Sequence, residues 1–235
     1  MNITQKKISY YCGATRLCGP LIYDADCQRL RPGIVLAPNM MGITASNIAQ
    51  AIRVAEEGYI VLVADLYGLL PESAEQASAE MNALKDTNEE RERMKAALRA
   101  LAADPLTDTL RLGAMGFCYG GHCVLELARS GAPLRATVCI HGTLDTQRPA
   151  ASGDIKGQVL VLNGAGDPFV TPEQIAQFSF EMASAGAGFQ LINYAGTVHS
   201  FTYPRADVPG KMEYNETVSN HAFRTAFNVM DEAFA

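Results

Sequence analysis

The sequence predicts an α/β fold in which a mostly parallel β-sheet is flanked by helices on both faces. First, short apolar runs alternate with segments of helical periodicity from residue 33 onward, the pattern of parallel strands joined by helical crossovers. Second, 235 residues suit one α/β unit with a large shared core. No repeat, low-complexity tract or linker divides the chain, so we expect a single domain spanning residues 1–235.

Six apolar runs are predicted as the strands of this sheet, because each is short and bounded by turn-forming residues. A hairpin or antiparallel edge is expected before them, at residues 8–26. The six runs cover residues 33–37, 59–64, 112–117, 136–140, 159–163 and 189–194.

The first predicted helices follow from apolar periodicity and capping signals. Residues 44–57 place apolar side chains on one face and stop at Gly58, and the stretch 71–80 is interpreted as a loop entering a helix. Thr87 and Glu90 have the spacing of a capping box. The helix that they begin is expected to end before Pro105.

Three more helices are predicted in the second half of the chain. Residues 118–129 recur apolar at helical spacing. Thr171, followed by a proline at the first helical position, begins a helix that closes at Gly186. The last helix is predicted over residues 215–234.

Charge and composition favour a small-molecule partner. The net charge is −6, the pI is near 5.2, and lysine and arginine form no cluster, which argues against nucleic acid and against an anionic membrane surface. No apolar run reaches the ~18 residues of a membrane span, and residues 1–7 lack the apolar core of a signal peptide. We expect a cytoplasmic protein, with its oligomeric state left open.

The six cysteines are predicted to be thiols. Cys118, Cys123 and Cys139 fall within regular elements of a core that needs no disulfides. The other three have spacings that match no zinc pattern, and few histidines lie near them. They are Cys12, Cys18 and Cys27. Neither a metal nor another cofactor is expected.

The most informative segment is residues 116–120, which read Gly-Phe-Cys-Tyr-Gly. They place Cys118 where a predicted strand turns into a helix, and glycine two residues to either side is what a strained nucleophile elbow requires. The alternative is a buried cysteine that packs as a small apolar side chain. The elbow interpretation is favoured because a strand and a helix flank the motif.

Two more loops follow predicted strands at the same edge of the sheet, where reacting groups gather in such folds. Asp167 lies just after strand 159–163, and His199 lies after strand 189–194. The chain order Cys118, Asp167, His199 is the nucleophile, acid and base order of the α/β-hydrolase fold.

The chemistry assigns a role to each group. His199 is the base that activates the thiol, assisted by the helix N-terminus, and Asp167 orients the imidazole. The backbone N–H groups of Tyr119 and Met40 are the expected oxyanion donors.

Alternatives stay open for the acid and the base. Asp167 in Gly-Asp-Pro is also a common turn former, and His199 could be an ordinary loop histidine. His141 is the reserve base, and Asp145 and Asp154 are the reserve acids.

These residues resemble the dienelactone hydrolase family, cysteine-using members of the α/β-hydrolase fold. The resemblance covers most of the chain, and it implies hydrolysis of lactones or small carboxylic esters through an acyl-thiol intermediate without a cofactor. The segments that carry it are residues 115–121, 65–67, 166–168 and 198–201.

The chain departs from this family at three positions. Members that act on dienelactones resemble one another in having a glutamate where this chain has Asn39 and an arginine where it has Leu69. They also have an arginine shortly after the histidine, and in this chain only Arg205 could match it. An arginine is the usual partner of a carboxylate, so the pocket is expected to favour a neutral or differently shaped substrate.

Two other functions compete with a hydrolase. The fold could bind a small molecule or a protein without turnover, because fold alone does not determine function. Alternatively, Cys118 could act as a thiol sensor, although Cys123 is poorly placed to form a disulfide with it.

Overall fold

A computed structural model describes residues 1–235, which form ten strands and six helices. The strands are β1 (Ile3–Cys12), β2 (Thr15–Asp24), β3 (Arg31–Ala37), β4 (Ile60–Val63), β5 (Thr107–Phe117), β6 (Ala136–Ile140), β7 (Gln158–Gly164), β8 (Phe189–Tyr194), β9 (Asp207–Val208) and β10 (Met212–Glu213). The helices are α1 (Ala45–Ala55), α2 (Ala74–Leu84), α3 (Asn88–Ala102), α4 (Tyr119–Arg129), α5 (Pro172–Ser184) and α6 (Glu216–Phe234).

Eight strands form one sheet in the order β1-β2-β4-β3-β5-β6-β7-β8. The hairpin β1–β2 and the β2–β4 pair are antiparallel, and every other neighbouring pair is parallel. The predicted α/β fold is confirmed, and the expected antiparallel edge is present. The carboxyl ends of β5, β7 and β8 therefore meet at one edge of the sheet.

Core packing explains why the strands read as continuous apolar runs. In β3, Val35 and Ala37 belong to a core cluster that includes residues of α3 and α4, whereas Ile34 and Leu36 belong to a second cluster that includes residues of α1 and α6. Successive side chains of a strand point to opposite faces. Because helices cover both faces, both sets of side chains are apolar.

Two local predictions need correction. Strand β5 starts at Thr107, five residues earlier than expected, because the polar stretch before Leu112 also pairs with β3 across a register shift at Pro32/Gly33. The proposed capping box is only half formed. Thr87 accepts from the Glu90 N–H, but the Glu90 carboxylate accepts from Asp86 because the Thr87 N–H already donates to Leu84.

All six cysteines are free, as predicted. No helix has the length and apolar character that crossing a membrane requires.

Candidate active site

Cys118 lies at a sharp turn between β5 and α4. Its backbone has φ 56° and ψ −122°, a conformation that L-residues rarely adopt. A Cβ atom on Gly116 would lie 2.0 Å from the carbonyl oxygen of Gly120, and one on Gly120 would lie 2.1 Å from that of Ala37. Glycine is thus required at both positions by steric exclusion, which agrees with the elbow predicted from the sequence.

His141 supports the strained backbone of Cys118. The Cys118 N–H donates to the Ile140 carbonyl and to His141 Nδ1, both at 3.1 Å. Since Nδ1 accepts, the ring proton is on Nε2, which donates to Thr202 Oγ1 at 2.8 Å. Burial and the charge of His199 hold the pKa of His141 well below its ordinary range. With both nitrogens occupied, His141 cannot serve as the reserve base.

His199 and Asp167 form a short buried pair. His199 Nδ1 donates to Asp167 Oδ2 at 2.7 Å, and the other carboxylate oxygen accepts from the Phe169 N–H at 2.8 Å. Burial lowers the pKa of His199, but hydrogen bonds and charge interactions with Asp167 and Cys118 outweigh burial and raise it to about 9. The His141 ring, which accepts from the Cys118 N–H, lies 5.0 Å from the His199 ring between centroids, so Cys118 and His199 share one neighbour.

Backbone pairing holds the His199 loop in place. The His199 N–H donates to the Lys211 carbonyl, and its own carbonyl accepts from the Glu213 N–H. Both partners belong to the hairpin region of β9 and β10, which the sequence analysis did not predict because each strand is only two residues long. The Gly166 N–H donates to the Thr197 carbonyl, so the loops that carry Asp167 and His199 are joined directly.

The loop after β3 carries the predicted oxyanion donor Met40. The Met40 N–H has no hydrogen-bond acceptor within the protein, and the Tyr119 N–H occupies the first position of α4, where helices offer no acceptor. Asn39 holds this loop by accepting from the Met41 N–H at 3.0 Å and by pairing with the buried Asn47. Asn47 is a supporting residue that sequence reasoning missed.

The reserve acids have other partners. Asp145 forms an ion pair with Lys85 at 2.7 Å, and Asp154 accepts from the Ala151 N–H. Phe169, which was not singled out from the sequence, packs its edge on the His199 ring with centroids 4.9 Å apart. Only its position two residues after Asp167 could have indicated this contact.

The three predicted pocket residues do not share one cavity. Asn39 and Arg205 line a cavity of about 640 Å³, together with Thr202. Leu69 lines a different cavity of about 600 Å³, beside Asp65 and Leu70. The structure thus places Arg205 near Asn39 and keeps Leu69 apart from both.

The chain matches the model of the dienelactone hydrolase family over residues 21–234. It belongs to that family. This family member is a hydrolase of the ester and lactone type, and the resemblance inferred from its motifs is confirmed.

Two solved structures and one curated protein illustrate the relationship. A protein named m3DLH has a TM-score of 0.94 and 36% identity, with 100% of both chains covered. A dienelactone hydrolase-like promiscuous phosphotriesterase from metagenomic libraries has a TM-score of 0.92 and 34% identity, again over 100% of both chains. A Bradyrhizobium sp protein named Probable 2-oxo-3-(5-oxofuran-2-ylidene)propanoate lactonase is 28% identical over 182 residues, 72% of this chain and 73% of its own.

Proposed function

We propose that the protein hydrolyses small carboxylic esters or lactones through an acyl-thiol intermediate on Cys118. The observation that carries the proposal is the constellation of a cysteine at a positive-φ turn and a neighbouring buried histidine that donates to a carboxylate at 2.7 Å. Such a constellation is the arrangement of an activated nucleophile, its base and the group that orients the base.

In the first half-reaction, the Cys118 thiol gives its proton to His199 Nε2, the sulfur attacks the carbonyl carbon and the carbonyl π electrons move to oxygen. The N–H groups of Met40 and Tyr119 are the proposed donors to this oxyanion. As the oxyanion collapses, the C–O bond of the ester breaks and the leaving alkoxide takes a proton from His199 Nε2. In a lactone, the released hydroxyl stays attached to the acyl group.

In the second half-reaction, His199 Nε2 removes a proton from water, and the hydroxide attacks the thioester carbonyl. The C–S bond then breaks, the carboxylic product leaves, and the proton on His199 returns to the sulfur. Asp167 keeps the Nδ1–H of His199 bound throughout, so that Nε2 faces the reaction.

Activation of the thiol depends on His199 and on the N-terminus of α4. A free thiol has a pKa near 8.5 and is mostly protonated at neutral pH, whereas a pKa of about 9 for His199 favours an imidazolium beside the sulfur. Asn39 is neutral, and its side chain accepts from the Met41 N–H in the loop after β3. It therefore neither repels a thiolate nor accepts the proton of the thiol.

The principal experiment tests turnover and the intermediate together. Nitrophenyl esters, simple lactones and a neutral phosphotriester are assayed with wild type, Cys118→Ala and the control Cys27→Ala, and quenched reactions are digested for mass spectrometry. We expect hydrolysis and an acyl adduct on the peptide containing Cys118, both retained in the control and absent in Cys118→Ala. The phosphotriester is included because one relative is described as a promiscuous phosphotriesterase.

A labelling experiment tests the base separately. Iodoacetamide modification of Cys118, followed by peptide mass spectrometry from pH 6 to 9, should slow sharply in His199→Ala, whereas His221→Ala serves as the control because His221 is exposed on α6. Unchanged labelling across this range would show that another group activates the thiol.

Substrate charge is tested through Arg205. Because Asn39 and Leu69 replace charged residues of the dienelactone-active members, we propose that neutral substrates are preferred. The comparison is a neutral ester against its carboxylate-bearing analogue in wild type, Arg205→Ala and the exposed control Arg224→Ala. A higher kcat/KM for the carboxylate analogue that disappears only in Arg205→Ala would favour the dienelactone type of substrate instead.

The competing function is a binding protein without turnover. It predicts no acyl adduct and no Cys118-dependent hydrolysis on any ester, lactone or phosphotriester in the panel. The thiol-sensor alternative predicts reversible oxidation of Cys118. Disulfide formation with Cys123 is disfavoured because Cys123 is fully buried and burial raises the pKa of its thiol well above the ordinary value.

A further inference from the structure

A second cluster of ionisable groups lies outside the catalytic constellation, between α3 and α4. It consists of Asp86 in the turn before α3, Glu90 on α3 and His122 on α4, and we refer to it as the α3–α4 cluster. One ligand-type atom from each of the three residues lies within 4.8 Å of the others. The catalytic roles proposed above use none of these side chains.

The cluster contains polar atoms that have no partner. His122 is fully buried, and neither of its ring nitrogens forms a hydrogen bond. Asp86 Oδ1 is also buried without a partner. A buried polar group without a partner costs about 1–3 kcal/mol. The unpaired atoms of this cluster therefore point to a bound partner that is not part of the polypeptide.

The interatomic distances are too long for hydrogen bonds. His122 Nε2 lies 3.6 Å from Asp86 Oδ1 and 3.5 Å from Glu90 Oε1, whereas N–H···O bonds are about 2.7–3.2 Å long. Ligands that bind zinc tetrahedrally at about 2.0–2.1 Å are separated from one another by about 3.3–3.4 Å. The two separations measured from His122 Nε2 are thus close to the edges of a zinc coordination tetrahedron.

The charges in the cluster are also not balanced by lysine or arginine. Lys85, next in sequence to Asp86, pairs with Asp145 instead, and neither Asp86 nor Glu90 forms an ion pair with any residue other than His122. A divalent cation would neutralise the two carboxylates while His122 remained neutral.

We propose that Asp86, Glu90 and His122 bind one zinc ion, with a water molecule at the fourth position. Zinc suits the donor set because one imidazole nitrogen and two carboxylate oxygens are typical zinc ligands, and calcium and magnesium prefer oxygen alone.

The proposed zinc ion would have a structural role. One of its ligands comes from the turn before α3, one from α3, and one from α4, the helix that carries Cys118 at its N-terminus. Binding would therefore join α3 to the elbow helix one turn after the nucleophile. A ligand that binds only the folded state stabilises it by RT ln(1 + [L]/Kd), so zinc should raise the Tm.

The test uses full-length protein in a Cys118→Ala background, so that the catalytic thiol cannot contribute a ligand. After removal of metals with a chelator, zinc affinity and stoichiometry are measured by competition with a chromophoric chelator. We expect one zinc per chain, with affinity reduced more than about 100-fold in Glu90→Gln and His122→Gln. The matched controls Asp154→Asn and His221→Gln should bind as the parent does.

Two further measurements keep the test decisive. If His122→Gln or Glu90→Gln loses its circular dichroism spectrum, Asp86→Asn replaces it, because asparagine tolerates the positive φ of 64° at this position. Cobalt substitution should give visible d–d bands without a sulfur charge-transfer band. Absence of zinc binding by the folded parent, equal binding by the folded ligand variants, or a sulfur charge-transfer band would each overturn the proposal.

Discussion

Two buried histidines of this protein face carboxylates in different ways. His199 Nδ1 lies 2.7 Å from Asp167, and the second oxygen of that carboxylate has a backbone partner. His122 Nε2 lies 3.5 Å from Glu90, and both of its ring nitrogens lack hydrogen bonds. The first pair is a completed hydrogen-bond network, whereas the imidazole of His122 makes no hydrogen bond to either nearby carboxylate.

The difference shows how the same residue types acquire different chemistry. A short hydrogen bond fixes the tautomer and the orientation of an imidazole, which a general base requires. Separations near 3.5 Å fix neither, but they match the spacing of ligands around a metal ion. Distance and partner count, more than residue identity, therefore separate a candidate base from a candidate ligand.

The largest effect is expected from removing the proposed nucleophile. Cys118→Ala should lower kcat/KM for ester hydrolysis by about 10⁴-fold or more, because no later step can proceed without the sulfur. Cys123→Ala, on the same helix, should retain activity and lose about 1 kcal/mol of stability through the loss of its buried thiol. Activity is measured with a nitrophenyl ester. More than a tenth of wild-type activity in Cys118→Ala would contradict the mechanism.

Replacing the orienting acid should have the second largest effect. Asp167→Asn keeps the shape of the side chain but cannot stabilise the imidazolium, and kcat should fall by about 10²–10⁴-fold. Asp145→Asn is the matched control, because Asp145 forms its ion pair with Lys85 and not with a histidine. Steady-state kinetics of both variants decide the matter, and an equal loss in the two would remove Asp167 from its proposed role.

Stability should report the pKa of His199. The pKa of His199 is about 9 in the folded state and near 6.5 in the unfolded state. The contribution of His199 to the free energy of unfolding is therefore complete below pH 6.5 and is lost as the pH rises through 9. The loss amounts to about 3 kcal/mol. Urea denaturation at several pH values should show this decline in wild type and a flatter profile in His199→Gln. Parallel profiles would show that another group controls the pH dependence.

Much of the fold and the positions of the candidate site residues could be predicted from sequence because they depend on local patterns. Apolar runs, helix caps and the glycines around Cys118 are read within a few residues, and strand order then brings distant loops to one edge. The β9–β10 hairpin that holds His199 could not be predicted, since two-residue strands leave no periodicity. The start of β5 was missed because the first residues of this strand are mostly polar.

The α3–α4 cluster could not be predicted from the sequence for a different reason. Cysteine spacing predicted no metal, but the proposed ligands are two carboxylates and a histidine. The histidine, His122, follows Glu90 by 32 residues, so no local motif joins it to the carboxylates. Glu90 does not complete the capping box that the sequence predicts, and accepts from the Asp86 N–H instead. Its expected capping partner, the Thr87 N–H, already donates to Leu84, and this competition between neighbouring helix ends cannot be read from a motif.

The smallest predicted effect concerns the support of the elbow by His141. Thr202→Val removes the acceptor of His141 Nε2, leaving a buried donor unpaired at a cost of about 1–3 kcal/mol. Because His141 also accepts from the Cys118 N–H, kcat should fall several-fold while KM changes little. Thr202→Ser retains the hydroxyl and should restore both stability and kcat. If valine and serine behave alike in urea denaturation and steady-state kinetics, the effect comes from packing at position 202, and His141 does not position Cys118 through this hydrogen bond.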